Sequence, residues 1–232
     1  MAEPHLARRA LAEGLGTGLL VTVVVGSGIM AERLSPDDTG LQLLENAWAT
    51  ALALPVLILL FAGVSGAHIN PAVTLYERVQ GRISTPDSLV YIGAQIVGGL
   101  LGCVLANLMF DLRAVNWSTQ GRSGSHLWLS EIVATTGLLL VIFGLTRARR
   151  HALVPVAVGA YIGAAYFFTS STSFANPAVT IGRTASDTFA GIDPAAAPMF
   201  VAMQLVGVAV ALIVVRGVYG PSDSLVVEDT AS

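Results

Sequence analysis

The pentapeptide Asn70-Pro71-Ala72-Val73-Thr74 returns unchanged as Asn176-Pro177-Ala178-Val179-Thr180. Its surroundings return with it. Ser65-Gly66-Ala67-His68-Ile69 leads into the first copy and Ser171-Thr172-Ser173-Phe174-Ala175 into the second, each after an apolar run. Each copy is followed by another apolar run with a glutamine in it, Gln95 or Gln204. Each half also opens on an apolar run with an acid near its start, Glu13 or Glu131. Four landmarks recurring in one order mark an internal duplication.

The runs between the landmarks are long enough to cross a bilayer. A hydrocarbon core of about 30 Å takes about 20 apolar residues as helix. Six such spans are expected, at 11–31, 46–64, 88–110, 127–146, 152–170 and 196–216. The composition agrees: 54% of the 232 residues are hydrophobic and only 12% are charged, half the share of a soluble domain. The formal net charge of −3 gives no polyanion-binding surface, so no nucleic-acid partner is expected. Cys103, a single cysteine, can form neither an intrachain disulfide nor a metal cluster.

Three spans per half is an odd number, so the second half enters the membrane from the opposite face. The expected architecture is therefore an all-α membrane fold of six spans and two re-entrant segments, arranged as an inverted three-plus-three repeat. The chain reads as one membrane pore domain over 1–232, with repeats at about 8–112 and 126–217 and a mobile polar tail at 218–232. All twelve basic residues are arginines. With a cytoplasmic N-terminus, Arg8, Arg9, Arg78, Arg82, Arg147, Arg149, Arg150 and Arg216 fall inside and Arg33, Arg113, Arg122 and Arg183 outside. The bias places both termini in the cytoplasm. An arginine pair before the first apolar run imitates a signal peptide, but Glu13 has a symmetry mate, which makes the first span part of the fold. Thr85-Pro86-Asp87 reads as a helix cap, a first-turn proline and a first-turn acid.

The repeated segments, 70–80 and 176–186, are too short to cross. About ten residues at 1.5 Å each reach roughly half the hydrocarbon thickness. Asn followed by Pro is a helix-start signal. The non-helical backbone before each start must be buried in protein or line water, because lipid cannot satisfy it. Entering from opposite faces, the two Asn-capped ends meet near the midplane with both positive dipole ends aimed at one spot. Asn70 and Asn176 add side-chain NH₂ donors there. A cation meets a barrier at such a point, while a neutral hydrogen-bonding solute does not, which describes a passive pore.

On these residues the chain resembles the major intrinsic protein family, the aquaporins and aquaglyceroporins, over about residues 8–216. The resemblance implies a six-helix bundle with two half-helices, assembled as a homotetramer with one pore per subunit. It also implies that Glu13 and Glu131 accept hydrogen bonds from the re-entrant backbone and that His68 lies near the cytoplasmic side of the pore.

One departure stands out. The family's outer constriction normally carries an arginine directly after the second Asn-Pro-Ala, and here that position is Val179. By the family's usual offsets the other three filter positions are Thr50, Ala164 and Ser173. Four small uncharged side chains imply a wide filter without its fixed cation, and hence a permissive pore for glycerol, urea, undissociated hydroxides such as arsenite, and water. The stretch from Ser173 to Gly191 resembles a bacterial branch linked to arsenic detoxification. Arg183 lies one helical turn beyond Val179. It either reaches the outer vestibule and partly replaces the missing charge, or makes a headgroup or loop contact.

The remaining polar residues have structural readings. Gln95 and Gln204 bond across helices or to the re-entrant loops. The duplicated acids favour support over proton relay, and His68 lines the pore without gating it. Glycines at 14, 16, 18, 93, 98, 99, 102 and 207 permit close helix approach. No nucleophile–base pair or metal-ligand cluster is present, so neither an enzyme nor a cofactor is expected. A strict water channel, a secondary transporter and an anion channel are the rival functions. A lysine-free composition rich in Ala, Val, Gly and Arg fits a bacterial inner membrane.

Overall fold

The computed structural model describes residues 4–220. Its helices are α1 (Leu6–Leu34), α2 (Thr39–Ser65), α3 (Pro71–Val79), α4 (Thr85–Met109), α5 (Ser125–Arg147), α6 (Val154–Phe168), α7 (Pro177–Gly182) and α8 (Ala197–Tyr219). A 3₁₀ turn at His151–Leu153 leads into α6, and another at Arg183–Ala185 extends α7. No strand occurs among the described residues. Six helices are long and apolar enough to cross a membrane, which leaves α3 and α7 as half-helices. The protein is a multi-pass membrane protein. Large apolar side chains such as Leu52, Val56, Leu59, Leu101 and Ile213 stand exposed on its perimeter, as expected of a surface that faces lipid or another subunit.

Several spans exceed their expected limits, and α2 shows why. It starts at Thr39, capped by the Asp38 side chain, which accepts from Leu41 N at 2.9 Å. Its first turns carry Gln42 and Asn46, which read as loop by hydropathy. Both point inward instead. Gln42 donates to Ser35 O at 2.7 Å and Asn46 to Val24 O at 2.8 Å, so burial leaves no donor stranded. At α4 the cap is Ser84, one residue before the expected Thr85, and its hydroxyl accepts from Asp87 N at 3.1 Å. Residues 218 and 219 complete α8; the rest of the expected mobile tail, from 221, lies outside the described residues.

The two repeats pack alike. In the first, α1 lies against α4; in the second, α5 lies against α8. Bare backbone makes the first crossing: a Cβ on Gly98 would strike the Gly14 carbonyl oxygen, and one on Gly102 the Gly18 carbonyl oxygen. In the second, Gly207 lies against Thr135 and the Ile132 carbonyl. Gly93, expected at such a contact, faces open space. The repeats join where α2 meets α6, with Gly159 under Ala51 and Pro55. This frame encloses α3 and α7 and brings their starts together.

Candidate functional site

Each half-helix is preceded by a few residues of non-helical chain held in an unusual conformation. Gly66, Ala67 and Ile69 have φ of 85°, 49° and 49°, and their counterparts Thr172, Ser173 and Ala175 have 62°, 54° and 47°. Left-handed backbone at non-glycine residues costs about 1–3 kcal/mol each and persists only where the surroundings impose it. Here the buried acids impose it. Glu13 accepts from His68 N at 2.9 Å and Ser65 Oγ at 2.6 Å on Oε1, and from Ile69 N at 2.6 Å and Gln95 Nε2 at 2.7 Å on Oε2. Glu131 accepts from Phe174 N at 3.0 Å, Ala175 N at 2.9 Å and Gln204 Nε2 at 2.6 Å. Each glutamine then reaches the half-helix itself, Gln95 to Thr74 Oγ1 at 3.0 Å and Gln204 to Thr180 Oγ1 at 2.9 Å. Glu13, Glu131, Gln95 and Gln204 are fully buried and stand off the cavity, so they brace the loops.

The tips of α3 and α7 touch through their asparagines. Asn70 Oδ1 caps its own helix by accepting from Ala72 N, while Asn176 Oδ1 accepts from Ala178 N and Val179 N. Their amide nitrogens cross between the repeats: Asn70 Nδ2 donates to Ala175 O at 2.8 Å and Asn176 Nδ2 to Ile69 O at 2.9 Å. One hydrogen of each amide is thus committed to the opposite loop, and the other remains for a solute. Pro71 and Pro177 occupy the first helical turn, and Ala72 and Ala178 are fully buried behind them.

A cavity of about 460 Å³ runs past this junction. Its lining includes the loop residues Gly66–Asn70 and Ser173–Asn176, which bring both asparagine amides to it. Helix residues complete the lining, among them the apolar Leu20, Leu54, Leu138 and Ile162. At one end lie Glu77, Thr146 and His151; His68 lies on the same side, its Nδ1 3.0 Å from Thr74 Oγ1 and its ring edge-on to Tyr91.

The other end differs from the expected filter. Thr50, Ser173 and Val179 line it, all buried. Ala164 does not: it is exposed on the outer face of α6. Residues Val158, Ile162 and Tyr166, at four-residue spacing, present that helix to the cavity. Ala164 is two residues from both Ile162 and Tyr166, about 200° around the helix, and so points away. Tyr166 takes its place, with its hydroxyl 3.0 Å from Thr50 Oγ1. A helical count along α6 holds the signal for Tyr166, whereas an offset carried from the family missed it.

The four expected filter positions carry no cation, but one stands near them. Arg183 lines the cavity, is only 2% exposed, and lays its guanidinium 3.5 Å from the centre of the Phe174 ring. Its Nε donates to the Ala190 carbonyl. Arg183 therefore makes a loop contact and also stands on the cavity wall. Phe174 also lines this end, packed edge-on against Phe200. No cluster of three metal-ligating side chains occurs among the described residues.

Comparison with known proteins gives a consistent result. The family model for the major intrinsic protein matches residues 1–175. Aquaglyceroporin AqpS of Rhizobium meliloti (strain 1021) is 47% identical over 226 residues, covering 97% of this chain and 96% of the relative. Aquaporin TIP1-2 of Zea mays is 31% identical over 193 residues, covering 78% of this chain and 76% of the relative. In fold the chain matches the X-ray structure of the aquaglyceroporin from Plasmodium falciparum, with a TM-score of 0.74 at 20% identity, covering 93% of this chain and 97% of the other.

Proposed function

The chain belongs to the major intrinsic protein family of passive channels for water and small solutes, and on that premise we propose that it conducts glycerol, urea and undissociated metalloid hydroxides such as arsenite together with water. The observation that carries the reading is the reciprocal amide–carbonyl junction of Asn70 and Asn176 beside a cavity lined by both polar and apolar residues. A polyol presents hydroxyls along one edge and C–H groups along the other. The polar lining replaces its lost water contacts, and the apolar lining asks for none. Identity to a relative named as an aquaglyceroporin supports the same solute class.

Thr50, Ser173, Val179 and Tyr166 form the proposed outer filter. The proposed assembly is a homotetramer in a bacterial inner membrane with both termini cytoplasmic, in keeping with the arginine distribution. Tyr166, Phe174 and Arg183 at the outer end favour a second reading, a strict water channel, because two aromatics and a cation narrow an opening that Ala164 would have left wide.

Stopped-flow light scattering of proteoliposomes separates the two. Under an inward gradient of glycerol, urea or arsenite, vesicles bearing a solute channel shrink and then re-swell at a rate linear in gradient. Fast shrinkage without re-swelling selects the water channel. Saturable or ion-coupled uptake defeats both.

A further inference from the structure

Three successive carbonyls at the outer end are held by two arginines in alternation. Arg122 Nη2 donates to Phe189 O at 3.1 Å and Arg122 Nε to Gly191 O at 2.8 Å. Between them, Ala190 O accepts from Arg183 Nε. Both guanidiniums also face one ring, with Arg183 Cζ 3.5 Å and Arg122 Cζ 5.2 Å from the centre of Phe174. The two residues come from different parts of the chain. Arg183 follows α7, whereas Arg122 lies in the connection from α4 to α5, which is stitched across by Asn116 N to Ala185 O, Ser118 N to Thr184 O and Asp193 N to Gln120 O.

Neither guanidinium pairs with a carboxylate among the described residues. A fully buried cation beside a partly buried one, with no carboxylate in direct ion-pair contact, is costly to keep, and a structural loop contact could be made by neutral donors. Arg183 uses only Nε on protein; its two Nη nitrogens donate to no atom of the described residues while the residue lines the cavity. A guanidinium can point its free edge at the solute path only if its Nε edge is fixed. That fixing falls to Ala190 O, a carbonyl on an irregular segment, and Arg122 grips that segment on both sides. Gly191 lets it sit so close, since a Cβ there would collide with Ser118 Oγ and the Ser186 carbonyl.

We propose that Arg122 is a positioning residue for solute selection: by clamping the carbonyls flanking Ala190 it aims Arg183, which supplies the cation barrier that Val179 lacks. The inference rests on the channel reading above, and it assigns selection at the outer mouth to a pair outside the Asn-Pro-Ala motif. The fork of Arg122 matters more than its charge, because two carbonyls spaced two residues apart need two donors in fixed relation.

The test uses full-length protein in liposomes, reading proton leak with an internal pH dye alongside water and glycerol permeability. Osmotic water or glycerol flux in the wild type tests the channel reading; the variants test the clamp. Arg183→Gln is expected to raise proton leak per unit of water permeability roughly tenfold. Arg122→Gln and Arg122→Lys should both reproduce that rise, and the Arg122→Gln/Arg183→Gln double variant should leak no more than Arg183→Gln alone. If Arg122→Gln fails to insert, Arg122→Lys decides. Wild-type leak in Arg122→Lys would mean that charge alone is needed and would overturn the clamp. So would additive leak in the double variant, or no effect of Arg183→Gln.

Discussion

Gln204 donates to Glu131 at 2.6 Å with the same atoms, Nε2 to Oε2, that Gln95 uses toward Glu13 at 2.7 Å. The duplicated landmarks of the sequence are therefore duplicated hydrogen bonds. In each repeat an acid from the first helix collects the backbone N–H groups of a left-handed loop, and a glutamine from the last helix ties that acid to a threonine on the half-helix. The conduit exists because two such brackets hold chain that lipid could not solvate.

Replacing Glu131 by Gln tests the bracket. An amide offers one acceptor oxygen and a donor NH₂ where three donors converge, so at least one N–H is left facing another. Breaking a buried charged hydrogen-bond set costs about 3–5 kcal/mol. The variant is expected to denature at clearly lower temperature in detergent and to lose water and glycerol flux in parallel. Normal thermal stability with a selective change in proton flux would instead make Glu131 a relay.

Asn176→Ala removes the cap of α7 and the bond from Asn176 Nδ2 to Ile69 O together. Loss of a cap alone costs about 1 kcal/mol. Because the lost donor also faces the solute path, permeability is expected to fall more than stability does. Equal water flux per inserted copy, measured against quantified protein, would remove Asn176 from the path.

The crossing of α1 and α4 makes a sharper prediction. Gly98→Ala drives a methyl into the Gly14 carbonyl, and neither backbone can yield without parting the helices. Overpacking costs about 1–3 kcal/mol where side chains can adjust, and here the obstacle is main chain, so poor insertion or a much lower melting temperature is expected. Gly93→Ala is the control: it meets nothing within 4 Å and should behave as wild type. Equal behaviour of the two variants would contradict this packing.

The span count, the inversion, the meeting of Asn70 with Asn176 and the placing of Glu13 and Glu131 beneath the loops were all legible, because each is written twice and a repeat is its own control. The outer mouth was not. Ala164 was assigned by an offset from the family, yet α6 turns Tyr166 inward, and side-chain direction follows helical phase. Arg183 was readable as a neighbour of Val179 but its orientation depends on Arg122, far away in the chain, and a contact between irregular segments leaves no period to read. The early start of α2 was hidden for another reason. Gln42 and Asn46 look like loop residues until the carbonyls that receive them, Ser35 O and Val24 O, are known.

The two candidates for one filter position can be set against each other. Tyr166→Phe deletes the hydroxyl that meets Thr50 Oγ1 at 3.0 Å, while Thr50 keeps its bond to Asn46 O, so the backbone stays supported. The outer end then presents an apolar ring edge in place of a polar one, and a hydrogen bond closing it is gone. A neutral hydrogen bond is worth about 1 kcal/mol, so the ratio of glycerol to water permeability should shift by roughly threefold to fivefold. Ala164→Val enlarges a side chain that faces outward, and the same ratio should stay at its wild-type value, because nothing in the cavity changes. Stopped-flow measurement of both solutes on both variants decides the matter: a shift in Ala164→Val with none in Tyr166→Phe would put the filter back at the position the family offset names.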